Sequence, residues 1–109
     1  MERFVKGDIV VIPFPFSDLS GSKKRPALVL AHLQGDDIIL CQITSQQTKD
    51  NYAIAITDSD FKIGKLPSPS NIRPNRIFTA DKNIIIRKAT SINEEAVIRV
   101  IQKIISILS

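Results

Sequence analysis

Cysteine and histidine are nearly absent from this chain, which has one of each among its 109 residues. A lone cysteine, Cys41, rules out a disulfide within the chain, and we expect it to be a small buried apolar group. One cysteine and one histidine also exclude cysteine-rich zinc sites and the H-E-x-x-H motif. Because His32 has no second imidazole with which to share a proton, we expect it to be structural or exposed rather than catalytic.

Other signals of function are missing as well. The chain contains neither G-x-x-x-x-G-K-[ST] nor G-x-G-x-x-G, so it has no phosphate-binding loop of a known kind. No segment approaches the roughly 20 apolar residues of a membrane span, and the opening MERFVKGD has no signal-peptide core. Acidic pairs such as Asp36-Asp37 are interpreted as solvated turns rather than metal ligands. We therefore expect one cytoplasmic domain over residues 1–109, with no metal, no cofactor and no membrane partner.

The charge of the chain is positive. Its formal net charge is +4 and its sequence pI is about 9.5, while 43% of its residues are hydrophobic. That apolar content is enough for one core in a domain of this length. The basic balance favours an anionic partner, nucleic acid above all.

The most informative stretch is Gly7 to Leu30, GDIVVIPFPFSDLSGSKKRPALVL. Its β-branched run at 9–12 predicts a strand at about 8–14, and the polar residues 17–22 predict a loop. Three cations, Lys23 to Arg25, then stand together just before a second apolar strand at about 26–32. A cationic cluster at the junction of a loop and a strand can meet a phosphate from a fixed direction.

The remainder of the chain predicts further strands and a terminal helix. Strands are expected at about 38–44, 52–57, 76–80 and 84–87, with a long irregular segment at 58–74. Ser91 and Glu94 fit a capping box that opens a helix of about fifteen residues. Many short strands with one helix predict a mainly β fold, a small bent sheet or barrel with helical cover. The apolar stripe expected to face the sheet is Ala96, Val97, Val100, Ile101, Ile104, Ile105 and Leu108, with Ile98 and Ile107 on the other side.

Four segments resemble the MazF/PemK family of toxins from type II toxin–antitoxin systems. They are GDIVVIPFPF, KKRPALVL, CQITS and FTADKNIIIRKATSINEEAVIRVIQKIISIL, which occur in the family's order and at similar spacing. The resemblance implies an SH3-like barrel, the fold shared with CcdB and Kid, usually as a homodimer. It also implies metal-independent endoribonuclease cleavage of single-stranded mRNA at short motifs, leaving 2′,3′-cyclic phosphate and 5′-hydroxyl ends. A cognate antitoxin would block the RNA groove, and DNA would be contacted only through that antitoxin.

The family's central pair carries over onto two residues of this chain. Its R-P arginine matches Arg25, and its I-T threonine matches Thr44, so these are the predicted catalytic residues. A family arginine in R-T-I-D falls on Phe78, which leaves Arg73 and Arg76 as candidates to supply that charge. The residues predicted to bind RNA are Lys23, Lys24, Phe16, Ser45, Gln42, Arg73 and Arg76.

The chemistry of these residues agrees with the implied reaction. An arginine is permanently charged and can donate two hydrogen bonds to phosphate oxygens, so Arg25 suits stabilisation of an anionic phosphorane. Thr44 can offer a hydroxyl to the phosphate or orient the 2′-hydroxyl of the substrate. Two alternatives stay open: a CcdB-like toxin that poisons a topoisomerase by protein contact, and a non-catalytic nucleic-acid-binding member of the fold.

Overall fold

The computed structural model describes residues 4–14, 23–46 and 50–109, without the side chains of Phe14 and Lys23. These residues form an antiparallel sheet and a C-terminal helix. The strands are β1 Asp8–Phe14, β2 Lys23–His32, β3 Asp37–Thr44, β4 Ile54–Ile56, β5 Phe61–Ile63, β6 Ser70–Asp81 and β7 Arg87–Ile92. The helix α1 is Glu94–Leu108, and short 3₁₀ helices cover Asp58–Asp60 and Lys82–Ile84.

The strands pair in the order β4-β6-β3-β2-β1-β7-β5, and the sheet curls into a nearly closed barrel. The first three strands are neighbours in both sequence and space, as is typical of antiparallel strands that follow one another in a chain. The later strands add to both edges of this unit, β6 and β4 on one side and β7 and β5 on the other. The predicted mainly β fold, a small barrel with a C-terminal amphipathic helix, is confirmed.

Alternation along the strands divides the apolar side chains between two cores. One face of β1 and β2 contributes Ile9 and Leu28 to the core beneath α1, and the other contributes Val10 and Val29 to a second core. Each fully buried Ile or Leu stabilises the fold by roughly 1.5–3 kcal/mol. Cys41 lies buried in the helix-side core, as predicted, and burial raises the pKa of its thiol to about 12.

Gly7 connects three elements at the start of β1. Its N–H donates to the carbonyl of Val29 at 3.0 Å, and its own carbonyl accepts from the N–H of Ile92 at 2.9 Å. Its φ is +99°, a conformation that other residues rarely adopt. A Cβ here would lie 3.3 Å from Cγ2 of Val97 on α1, so glycine allows the helix to approach the sheet closely.

The segment 58–74 is more regular than the sequence predicts. It contains a 3₁₀ helix, the strand β5 and the first residues of β6. Its hydrogen-bond partners lie far away in the chain, since β5 pairs with β7 and β6 pairs with β3 and β4. Pro74 fits into β6 because the pairing skips from Arg73 to Ile77, where the ladder needs no N–H donor. The expectation of one long irregular segment was therefore wrong.

Two other strand boundaries differ from prediction. The strand β2 begins at Lys23, so the basic cluster lies inside the strand rather than before it. The predicted strand at 84–87 is wrong, because a 3₁₀ helix occupies Lys82–Ile84 and β7 starts only at Arg87. This shift follows from pairing with β1, which places Arg87 opposite Val11.

The terminal helix has the predicted length but a different start. Its fifteen residues begin after Asn93, whose Oδ1 accepts from the N–H of Ala96 at 2.9 Å. Ser91 is not the N-cap, since it belongs to β7 and pairs with Asp8. Ile105 and Leu108 were expected in the buried stripe but are 57% and 78% exposed. Ile105 lies two helical turns after the exposed Ile98 and shares its face, and Leu108 is the last residue of the helix.

Candidate nucleic-acid interface

Arg25 and Thr44, the two predicted catalytic residues, lie on neighbouring strands. Ala27 of β2 pairs with Gln42 of β3, and two residues further along each strand stand Arg25 and Thr44. Residues two apart on a strand point to the same side. The structure therefore brings the predicted pair to one face of the sheet.

The same face extends onto a third strand. Gln42 lies opposite Arg73 of β6, and Gln42 is two residues from Thr44. Arg25, Gln42, Thr44 and Arg73 together are called the Arg25 face. All four were predicted site residues: Arg25 and Thr44 as catalytic residues, and Gln42 and Arg73 as RNA-binding residues. Arg73 was also a candidate for the missing family charge.

Two guanidinium nitrogens of the Arg25 face are buried without a partner. The Nε atoms of Arg25 and Arg73 donate no hydrogen bond to any described residue. A buried donor left unpaired costs about 1–3 kcal/mol, and more when the group is charged. An oxygen of an anionic ligand, such as a phosphate, has the charge and the acceptor geometry that these nitrogens require.

Arg73 is held in place by Asp50. One terminal nitrogen of Arg73 donates to Oδ2 of Asp50 at 2.8 Å, and both side chains are mostly buried. The pKa of Asp50 lies below its ordinary value, because the N–H of Tyr52 donates to the carboxylate and the Arg73 guanidinium is adjacent. The carboxylate therefore stays charged and fixes the guanidinium on the Arg25 face.

Thr44 is nearly buried, with 7% of its surface exposed. Its Oγ1 accepts a hydrogen bond from the N–H of Gln46 at 3.1 Å. Because that bond occupies the hydroxyl as an acceptor, the hydroxyl proton can be donated elsewhere. A phosphate oxygen on the Arg25 face is an acceptor that such a donor suits.

A cleft of about 720 Å³ borders the Arg25 face. Lys24 and Ser45, both predicted to bind RNA, are exposed residues of its lining, and Arg25 also lines it. The prediction missed Lys65 and Arg87, the other two cations of the lining. No carboxylate is present among the described residues of the lining, so the cleft is strongly cationic.

No local signal marked the two missed cations. Lys65 lies in the segment that the sequence predicts to be irregular. Arg87 reaches the cleft because β7 pairs with β1, which places Arg87 and Pro26 on either side of Val11. Pairing over such a long sequence separation is not visible in a local pattern.

Two predicted RNA contacts fall outside the description. Phe16 lies outside the described residues, and so does the side chain of Lys23. The backbone of Lys23 pairs with Phe14 at the end of the β1–β2 ladder.

The sequence over residues 5–108 matches the profile of PemK-like, MazF-like toxins of type II toxin–antitoxin systems. The chain belongs to this toxin family. No curated protein sequence matches it significantly.

Solved structures of the same toxin family and of related enzymes share the fold. MazE–MazF (form II) from Deinococcus radiodurans superposes with a TM-score of 0.76 at 17% identity, covering 100% of this chain and 98% of that chain. An endoribonuclease in complex with its cognate antitoxin from a mycobacterial species gives 0.76 at 12% identity, covering 97% and 95%. The toxin MazF-mt6 from Mycobacterium tuberculosis gives 0.68 at 14% identity, covering 89% and 91%.

Position 78, where the resemblance to the toxin family predicts an arginine, is occupied by the apolar residue Phe78 in this chain. Phe78 lies opposite Leu40 and packs against the second core. Arg76 stands in the bulge of β6, where the pairing skips three residues, and its side chain is exposed. Of the two replacement candidates, the structure brings only Arg73 to the Arg25 face.

None of the described helices of this toxin-family chain is long and apolar enough to cross a membrane. His32 lies away from the Arg25 face, with its Nδ1 at 3.2 Å from the carbonyl oxygen of Phe4. That contact joins β2 to the N-terminal segment.

Proposed function

We propose that this chain is the toxin of a toxin–antitoxin pair and cleaves single-stranded mRNA at short sequence motifs without a metal ion. Membership of the toxin family supports this proposal at the level of the whole chain. The observation that carries it at the level of the site is the Arg25 face, where two buried guanidinium nitrogens have no partner among the described residues and share a face with the hydroxyl of Thr44.

In the proposed reaction, the 2′-oxygen of the substrate attacks the adjacent phosphorus. The bond between 2′-oxygen and phosphorus forms as the bond between phosphorus and 5′-oxygen breaks. Solvent water takes the proton of the 2′-hydroxyl, and the departing 5′-oxygen takes a proton from solvent water, so the protons balance. The products are a 2′,3′-cyclic phosphate and a 5′-hydroxyl, so no water is consumed in this step.

The roles of the side chains follow from their chemistry. Arg25 stabilises the dianionic phosphorane, because its guanidinium is planar and stays charged at every physiological pH. Because an arginine side chain keeps its proton in proteins, it is a poor general base. Thr44 donates its hydroxyl to a phosphate oxygen, Arg73 adds a second fixed positive charge, and Gln42 positions the strand. Because no strong base is present in this group, the rate enhancement rests on positioning and electrostatics.

The proposal includes the partners of the family. A cognate antitoxin would cover the RNA-binding surface, and two copies of the chain would form a homodimer. Solved structures with this fold include complexes of MazF with MazE and of an endoribonuclease with its antitoxin. Since mRNA is the proposed substrate, we propose that the toxin acts in the cytoplasm.

The test is cleavage of a long unstructured RNA by the purified, antitoxin-free protein in excess EDTA, followed by mapping of the ends. Discrete cuts with 5′-hydroxyl ends are expected. A matched RNA with a single 2′-deoxynucleotide before the mapped bond should resist cleavage at that bond only. Cuts that need a divalent metal, or that persist at the 2′-deoxy position, would contradict the proposed mechanism.

One observation favours a second candidate function. Phe78 fills the place of a family arginine and is packed against the core, so the chain has one cation fewer than the family motif provides. A member without catalysis that still binds RNA would show retention of RNA and no cuts in the same assay.

A further inference from the structure

The cationic cleft lies on the opposite side of β2 from Thr44. Lys24 and Pro26 of its lining alternate with Arg25 along the strand, so they point away from the Arg25 face. Arg25 itself borders both sites. A linear ligand that crosses the end of β2 next to Arg25 would therefore contact the Arg25 face and the cleft in succession.

The cleft has the composition of a site for a charged group with an apolar part. Lys24, Lys65 and Arg87 supply cations in addition to Arg25, and Leu66 and Ile86 supply apolar wall. Serine hydroxyls at 45, 68 and 70 add hydrogen-bonding groups. Its volume of about 720 Å³ is within the range of small-molecule pockets, about 300–1,000 Å³.

A nucleotide combines these properties, since it has an anionic phosphate, a hydroxylated sugar and a flat base. We propose that the cleft binds a nucleotide of the RNA that flanks the cleaved bond, with Lys65 and Arg87 on its phosphate oxygens. This inference rests on the proposed function, because it takes RNA as the substrate. Lys65 and Arg87 are then binding residues that set affinity, while Arg25 and Thr44 act at the reacting phosphate.

The continuity through Arg25 favours RNA over an acidic protein segment as the occupant. Because Arg25 borders both sites, a strand whose reacting phosphate lies on the Arg25 face continues beside the cations of the cleft. A cationic groove that follows the backbone is typical of single-strand binding. The acidic side chains of a protein segment do not recur at the regular spacing of the phosphates in a nucleic-acid backbone.

The experiment measures binding without cleavage. The probe is a fluorescent RNA of roughly 10 nucleotides, a length typical of single-strand sites, with methylated 2′-hydroxyls so that it cannot be cut. The variant Lys65→Gln/Arg87→Gln is compared with Lys6→Gln/Lys62→Gln, which removes the same charge from exposed positions outside the cleft. Anisotropy titrations at several salt concentrations give Kd and its salt dependence.

We expect the cleft variant to bind roughly tenfold more weakly and the control to bind almost as well as the wild type. The slope of log Kd against log salt should fall by about 0.7 for each lost phosphate contact. Equal weakening in both double variants would reduce the effect to net charge and overturn the proposal. It would also be overturned if the cleft variant bound RNA normally but lost affinity for polyglutamate, since the occupant would then be an acidic protein segment.

Different results would contradict the cleft assignment and the ribonuclease function. If the wild type cuts RNA in EDTA and the cleft variant binds the methylated probe normally, the cleft assignment is wrong and the ribonuclease function stands. If the wild type binds the probe through the cleft but never cuts RNA, the cleft assignment stands and the ribonuclease function is wrong.

Discussion

Arg73 is the candidate to supply the charge of the arginine that the resemblance to the family predicts at position 78. Its guanidinium lies on the Arg25 face, its Nε is buried and unpaired among the described residues, and Asp50 anchors it at 2.8 Å. The arginine expected at position 78 is replaced by Phe78, which belongs to the core. We therefore expect Arg73 to supply the second positive charge of the reaction.

Replacing Arg73 tests this role. Arg73→Gln should lower kcat by about 10²-fold, because it removes one preorganised donor from the developing negative charge. Arg76→Gln removes the same charge from the exposed bulge and should cost far less. Steady-state cleavage of a short RNA with one cut site measures both variants. Equal losses would mean that position 73 acts only through net charge.

The sequence predicted some of these residues and missed others for a physical reason. Arg25 and Thr44 belong to consecutive strands joined by a tight turn, so a family motif and a hairpin are enough to pair them. Arg73 was predicted as well, and it reaches the Arg25 face through β6. The missed cations are Arg87, which reaches the cleft through β7, and Lys65, which lies between β5 and β6; these strands pair with strands distant in sequence. The register of such pairing depends on the whole sheet, and the bulge in β6 could not be read from the sequence.

At the level of elements, Asp60 joins the 3₁₀ helix at 58–60 to α1. Its carboxylate accepts from Arg99 at 2.6 Å and from the N–H of Thr57 at 2.8 Å. Burial raises the pKa of Asp60, but the hydrogen bonds from Thr57 and Arg99 outweigh this, so the pKa is lowered from its ordinary value of 3.8. The folded state therefore favours the charged carboxylate.

This contact predicts a pH-dependent stability. Because the folded pKa is lowered, the stabilisation is present above pH 3.8 and is lost as the pH falls through the lowered pKa. At neutral pH, Asp60→Asn should reduce the free energy of unfolding by about 1–3 kcal/mol. Urea unfolding should show this difference shrinking towards zero in acid.

The control for this prediction is Asp58→Asn, which changes an exposed carboxylate of the same 3₁₀ helix. It should leave the stability nearly unchanged at both pH values. A difference for Asp60→Asn that persists undiminished in acid would mean that packing, and not the charge, is responsible.

The first residue of α1 could not be predicted from the local sequence pattern. Ser91 and Asn93 are both good N-caps, and each is followed by suitable residues. Pairing of β7 with β1 commits Ser91 to the sheet, and the cap moves to Asn93. The length of the helix could be predicted because its apolar spacing is local. Its first residue depended on the pairing of β7 with β1, a strand at the other end of the chain.

At the level of the whole molecule, the monomer exposes apolar side chains on one side of α1. Ile98, Ile105 and Leu108 are 47%, 57% and 78% exposed, and their spacing places them on one helix face. In the proposed homodimer, a second copy of the chain would bury this apolar face of α1. We expect sedimentation at micromolar concentration to give twice the 12.1 kDa mass of the chain. A single 12.1 kDa species would contradict the dimer.

The central claim is that Arg25 stabilises the transition state of a metal-independent RNA cleavage. The most direct test is single-turnover cleavage of one RNA in excess EDTA by the wild type and by Arg25→Ala, purified in parallel. We predict 5′-hydroxyl products from the wild type and a rate at least about 10²-fold lower for Arg25→Ala, with an unchanged circular dichroism spectrum. Cleavage by Arg25→Ala at the wild-type rate would contradict the account.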